Sequence, residues 1–308
     1  GSIPPRSSHG GPVMSVVVPA SVDEASRPPA RRHDLDGLRA VAVLLVAVYH
    51  VWVHRVSGGV DVFLLLSGFF VGGSLVRGIV GARPVRLRTY FPRLARRLLP
   101  ALIVVVGVCI VLGYVLLAPN RWSENARQSI ASLLAVENWY LALSGRDYGA
   151  ADVVGSPFQH IWSLSVQSQL FVLLPLVLLA VFAVVRRMPG GGGRKVVVGV
   201  VVGLASASFV YACVGVLIDQ PWAYYDTFAR AWEYLAGTLA AIWLFSGHGE
   251  RAQDRMRRRP LLVAMAGWVG IALVLVAGVV TDGLRQYPGP AALVPVLGAL
   301  LLIVFAGS

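Results

Sequence analysis

From about residue 38 onward, long apolar runs alternate with short arginine-rich segments. Runs such as 161–185, 196–217 and 261–280 reach or exceed the roughly 18 to 20 residues that an α-helix needs to cross a bilayer core. None shows the polar alternation of a membrane barrel strand, so the pattern predicts an all-α, polytopic transmembrane helical bundle. Eight spans are expected, at about 37–54, 60–75, 98–117, 160–185, 196–217, 228–246 and 261–280, with the last starting near 291. The stretch 126–143 is apolar enough to touch the membrane. As a ninth crossing it would invert the charge pattern of every later loop, so a re-entrant or interfacial helix is expected there. Residues 1–33, rich in Pro, Ser and Arg, predict a disordered cytoplasmic tail ahead of a membrane domain over 34–308.

Composition agrees with this division. Of the 308 residues, 56% are hydrophobic and 14% charged, against roughly 25% charged in soluble domains. The net charge of +12 does not form a single stripe or a recognised reading motif, so it points to the lipid bilayer as a partner and not to nucleic acid. Its distribution instead orients the chain. Sixteen basic residues fall in three segments, at 77–97, 186–195 and 251–259, and five fall on the opposite side (Arg55, Arg121, Arg127, Arg146 and Arg285). The positive-inside rule then places the N-terminus and the three basic segments in the cytoplasm. Gly190 to Gly193 reads as a hinge in the second basic segment. Cys109 and Cys213 both fall inside expected spans and read as small apolar fillers.

Ionisable groups inside spans are costly, and each is therefore a candidate for a site. The first span holds Asp36, Arg39 and His50. Arg39 and His50 are 11 residues apart, close to three helical turns, roughly 16 Å along one face. A guanidinium at the mouth suits a phosphate, and an imidazole deeper in suits a general base; a packing role for the histidine is the alternative. Asp61 follows, either as a helix cap or as a site carboxylate, and Gly68 with Gly72 makes a small-residue packing face. In the fourth span His160, Ser163 and Gln167 recur at i, i+3, i+7, beside Ser165 and Gln169. They suit either hydrogen bonds between helices or the lining for a polar acceptor. Arg230 and Glu233 share a face in the sixth span, as structural glue or as part of a site.

Five ordered motifs carry a resemblance. They are Arg39-x10-His50, GVDVFLLLSGF over 59–69, YFPRLARRLLP over 90–100, HIWSLSVQSQ over 160–169 and RAWEYLAG over 230–237. In this order they resemble the acyltransferase-3 family, integral membrane O-acyltransferases that modify bacterial surface polysaccharides and glycolipids. The resemblance implies transfer of an acyl group, acetyl first among the choices, from cytoplasmic acyl-CoA to a hydroxyl of an envelope polysaccharide or glycolipid. It implies His50 as the catalytic histidine with Arg39 its paired arginine, and Asp36 and Asp61 join them as candidates. Arg93, Arg96 and Arg97 would hold the acyl-CoA, and His160, Ser163, Gln167 and Glu233 would face the acceptor. No metal is expected. Many members carry two carboxylates and a glutamine where this chain has Gln167, Ser168 and Gln169, so no carboxylate role is carried over there. The final helices and outer domain of many members are also not matched, and the chain is expected to be a C-terminally incomplete membrane domain. A transporter or flippase of an acylated glycan is the competing reading; it predicts internal repeats, and none is evident.

Overall fold

The computed structural model describes residues 1, 33–53, 58–80, 86–144, 156–187, 193–280 and 283–305. Residues 2–32 of the expected N-terminal tail and the Gly190–Gly192 part of the expected hinge fall outside the described residues, and His33, the last residue of that expected tail, opens a helix. The compact unit Asp34–Ser308 contains all the architecture discussed below. Every regular element among the described residues is helical.

The first helix, α1 (His33–Val48), has Asp34 and Asp36 in its first turn, where carboxylates complement the helix dipole, and it runs on into a π-helical turn, Tyr49–Val53. Next come α2 (Gly59–Ser67), a second π turn (Gly68–Gly72) and α3 (Gly73–Val80), which together form one continuous rod. After it α4 (Leu87–Leu116) runs for 30 residues. At 1.5 Å per residue that is about 45 Å, well beyond a hydrocarbon core of about 30 Å. The surplus is its arginine-rich start. Arg88, Arg93, Arg96 and Arg97, expected in a loop, are therefore carried on helix, with Pro92 in the same stretch.

Two short helices, α5 (Trp122–Leu133) and α6 (Glu137–Leu143), occupy the segment expected to be re-entrant or interfacial. At 12 and 7 residues neither can cross. They meet at Ala135, whose φ of 56° is left-handed and unusual for a residue with a Cβ. The chain continues through α7 (Trp162–Val185), α8 (Gly193–Ile218), α9 (Gln220–Tyr225), α10 (Thr227–Leu244) and α11 (Gly247–Arg257). It closes with α12 (Pro260–Val280), α13 (Gly283–Gln286) and α14 (Leu293–Phe305).

Among the described residues, five stretches are long and apolar enough to cross a membrane: Gly59–Ile79, Leu87–Leu116, Gln159–Val185, Gly193–Ile218 and Pro260–Val280. They correspond to the second, third, fourth, fifth and seventh expected spans. The other three expected spans are helical but do not meet that standard of length and composition. The sixth has a clear physical reason. Helix α10 is the centre of the bundle, packed against α2, the second π turn, α3, α7, α8, α9 and α14, and most of its residues are buried. A helix surrounded by protein need not be apolar all round, because its polar groups find partners instead of lipid.

Close approach makes this central packing possible. A Cβ on Gly68 would fall on the carbonyl of Tyr234, and one on Gly237 would fall on the carbonyl of Leu65. Gly72 is equally tight against Thr238, whose hydroxyl donates to the carbonyls of Gly68 and Tyr234, 3.1 Å in each case. Small residues letting backbones touch is the usual device where lipid supplies no hydrophobic drive between helices. Gly237→Ala is therefore expected to cost at least the about 1–3 kcal/mol of an overpacked core, since the obstructing atoms are backbone and cannot rotate away. Thermal unfolding in detergent measures it; an unchanged midpoint would mean that α2 and α10 do not pack this closely.

Candidate active site

The first feature of the site is a cavity of about 460 Å³ between the π-turn/α3 rod and the start of α4. Phe70, Val71, Leu75 and Leu94 give it an apolar floor, and Arg86, Arg93 and Arg97 give it cationic walls. The residues of α4 that line it (Thr89, Tyr90, Arg93, Leu94 and Arg97) recur every three or four positions, which puts them on one helix face. Arg96 is off that face and is not among the lining residues. Among the described residues no carboxylate pairs with Arg86, Arg93 or Arg97. An apolar pocket with a few convergent charges is the usual form of a small-molecule site, and here the uncompensated charges are all positive. Tyr90 anchors the wall, its hydroxyl donating to the Phe171 carbonyl of α7 at 3.0 Å.

Helix α1 stands behind this cavity. The guanidinium of Arg39 stacks over the Phe70 ring at 4.4 Å from its centroid, lies 3.8 Å from the carboxylate of Asp36 one turn earlier, and is within electrostatic reach of Arg97. Residues 36, 39 and 97, scattered in sequence, thus converge at one end of the pocket. The backbone of His50 lies in the π turn Tyr49–Val53, and its side chain falls outside the described residues. Both π turns, one carrying His50 and the other Phe70, interrupt helices that sequence periodicity reads as continuous. Such turns are frequent at functional sites.

A second cluster is fully buried. Arg230 Nη1 donates to Asp61 Oδ1 at 2.9 Å and to Glu233 Oε1 at 3.2 Å, while its Nε donates to the Tyr224 carbonyl at 3.0 Å. Trp162 and Tyr224 face the guanidinium at 5.2 and 4.7 Å. Asp61 therefore serves as the ion partner of a residue 169 positions away, across the α2–α10 contact. Among the described residues, no backbone, hydroxyl or amide donor reaches Asp61 Oδ2 or Glu233 Oε2. None of the hydrogen bonds or ion pairs of the triad runs to α1 or α4. The structure thus brings Asp61 and Glu233 together on Arg230, and neither is among the residues that line the arginine pocket.

The polar residues of α7 divide in their partners. His160 is exposed in the 3₁₀ turn that opens the helix, and Ser163 is half-buried. Gln167 donates to the hydroxyl of Ser67 at 2.5 Å, tying α7 to the end of α2. Gln169, the second polar residue of that stripe, is a hub between helices. It donates to the Ala135 carbonyl and to Asn138 Oδ1 at 2.8 and 2.9 Å, and accepts from Trp139 and Thr227. The left-handed Ala135 is held by this glutamine. Asn138 completes the network through the Tyr225 carbonyl and Thr227, both at 3.0 Å. Asn138, Trp139, Trp162, Tyr224 and Arg86 carry no signal in the sequence read singly; only their partners mark them. Among the described residues no group of three or more His, Cys, Asp or Glu side chains is placed to hold a metal ion.

Known proteins agree with the family resemblance. The model of a family described as "Acyltransferase domain" (Acyl_transf_3) matches residues 32–308. The peptidoglycan O-acetyltransferase OatA of Listeria monocytogenes is 30% identical over 218 residues, covering 69% of this chain and 34% of that protein. The O-acetyltransferase OatA of Staphylococcus aureus is 30% identical over 214 residues, covering 68% and 34%. The chain thus spans about a third of the length of these relatives. No solved structure matches it. With the family model covering residues 32–308 of the 308, this chain belongs to the acyltransferase-3 family.

Proposed function

We propose that the chain is the membrane-embedded catalytic part of an O-acetyltransferase that takes an acetyl group from cytoplasmic acetyl-CoA and passes it to a hydroxyl of a cell-envelope glycan, of peptidoglycan type. One observation carries this reading: the arginine-walled pocket at the start of α4 ends against Arg39 of α1, the helix that runs on into the π turn holding His50. A donor with a phosphate-rich head and an apolar arm fits such a pocket, since guanidinium groups bind phosphate oxygens bidentately and the floor is apolar. The relatives named as O-acetyltransferases supply the reaction class, and the Listeria protein's name supplies the peptidoglycan acceptor.

In this mechanism the acceptor oxygen attacks the thioester carbonyl carbon while neutral His50 takes its proton. The C–S bond then breaks, and the leaving thiolate receives that proton from the imidazolium. Arg39 positions the donor beside His50, with Asp36 holding the guanidinium. Arg93 and Arg97, and Arg96 at longer range, neutralise the donor's phosphates. The acceptor side is assigned to α7 and α10, with His160, Ser163, Gln167 and Glu233, and Asp61 supporting Glu233 through Arg230. The proposal includes eight crossings of the bacterial inner membrane with a cytoplasmic N-terminus, which puts the pocket on the cytoplasmic side with the basic segments.

Charge reversal at the pocket tests the donor assignment. Arg93→Glu and Arg97→Glu are each expected to raise the acetyl-CoA concentration for half-maximal rate by roughly 10- to 100-fold, the worth of a charge-assisted hydrogen bond. Arg96→Glu should do less, because its side chain is off the pocket. Equal effects at all three positions, or an unchanged donor requirement in correctly inserted protein, would remove the pocket from donor binding.

A further inference from the structure

We infer that Arg86 is a specificity determinant of the donor site, reading the 3′-phosphate of the nucleotide and so distinguishing coenzyme A from its 3′-dephospho form; this rests on the donor assignment above. The three unpaired arginines of the pocket are not evenly spaced. Arg93 and Arg97 are one helical turn apart, about 6 Å along the axis, and form a single cationic patch. Arg86 is seven residues before Arg93, about 10 Å further along, and is a separate charge. The two clusters have different neighbours. The Arg97 end meets Phe70 and Arg39, toward α1, whereas Arg86 lies at the opposite end of the lining stretch of α4.

A ligand with two separated phosphate groups fits that division. Coenzyme A carries a diphosphate, suited to the Arg93–Arg97 patch, and a single phosphate on the ribose 3′ oxygen, set apart from it by the sugar. Its thioester arm then runs from the patch past Phe70 toward Arg39. The base of Arg86 is also fixed. Its carbonyl accepts from the backbone N–H groups of Thr89 and Tyr90 and from the Thr89 hydroxyl, each at 3.0 Å, so the side chain leaves from a defined point at the start of α4. A helix start held by three donors ties the backbone of Arg86 to the helix that carries Arg93. That tie is what discrimination between two ligands differing by one phosphate requires.

The test is equilibrium binding of coenzyme A and 3′-dephospho-coenzyme A to the full chain in lipid nanodiscs. Wild-type protein is expected to bind coenzyme A at least 10-fold more tightly than the dephospho form. Arg86→Gln should bring that ratio close to one by weakening coenzyme A alone, with dephospho-coenzyme A binding unchanged and so reporting intact protein. Arg88→Gln removes the same charge two residues away, off the lining, and should preserve the ratio. Equal weakening of both ligands by Arg86→Gln, or a wild type indifferent to the 3′-phosphate, overturns the inference while leaving the donor assignment standing. Protein that binds neither ligand overturns both.

Discussion

Alanine in place of His50 is expected to cut acetyl transfer by at least 10²- to 10⁴-fold, the usual contribution of a positioned general base, while the protein still inserts and still binds acetyl-CoA. The reason for expecting retained binding is geometric: the charges of the pocket come from Arg86 and α4, and its apolar floor comes from the π turn, α3 and Leu94. Asparagine or glutamine at position 50 should not rescue transfer, because neither takes up a proton near neutral pH. Transfer and donor binding measured on one purified variant decide the point. Near-normal transfer with alanine would assign His50 to packing between helices and remove it from the reaction. Lost transfer with intact donor binding would also count against a transporter reading, in which a proton acceptor at this place has no chemical task.

Loss of Arg230 should be the most damaging single change to the fold. Its guanidinium is 1% exposed and is the charge partner of both Asp61 and Glu233, themselves 1% and 0% exposed. Removing one member of a buried ion cluster leaves uncompensated charge and costs about 3–5 kcal/mol, whereas replacing the whole cluster by apolar residues is often neutral or better. Arg230→Ala is therefore expected to unfold or misinsert much of the protein. The combination Asp61→Leu, Arg230→Met and Glu233→Leu should recover a thermal midpoint near that of the wild type. A triple variant no more stable than Arg230→Ala would sink this account of the triad. Acetyl transfer on the refolded triple variant adds a second answer. Transfer that returns with the fold assigns the triad to locking α2 against α10, and transfer that stays lost assigns Asp61 and Glu233 to the reaction.

Both predictions begin from residues that the sequence already singles out, yet they differ in what the structure adds. His50 and Arg39 stand out because an ionisable group in an apolar run is visible by itself. Asp61 is also an ionisable group in an apolar run, but its mark is ambiguous. Near the start of a helix it reads equally well as a cap, and only its contact with Arg230, 169 residues away, makes it one member of a triad. Gln167 and Gln169 show the same ambiguity from the other side. Both read as a polar stripe, but Gln169 is consumed by bonds to Ala135, Asn138, Trp139 and Thr227 and has little left for a ligand.

What the sequence by itself determined is therefore everything that depends on local pattern: helical structure throughout the described residues, five apolar stretches long enough to cross a membrane at their expected places, the short helices after α4, and the arginine-rich segments. Transfer free energy and helical period act over one or two dozen neighbouring residues, so a single chain carries them legibly. The tertiary structure alone decided which arginines face the pocket, with Arg86, Arg93 and Arg97 turned toward it and Arg96 away. It alone placed α10 at the centre, joined Asp61 to Arg230 and turned the helices through two π segments. These outcomes depend on which helix faces meet, and glycine contacts such as Gly68 on Tyr234 and Gly237 on Leu65 set that meeting. A buried charge must find its partner wherever packing brings one, and distance along the chain has no bearing on where that is.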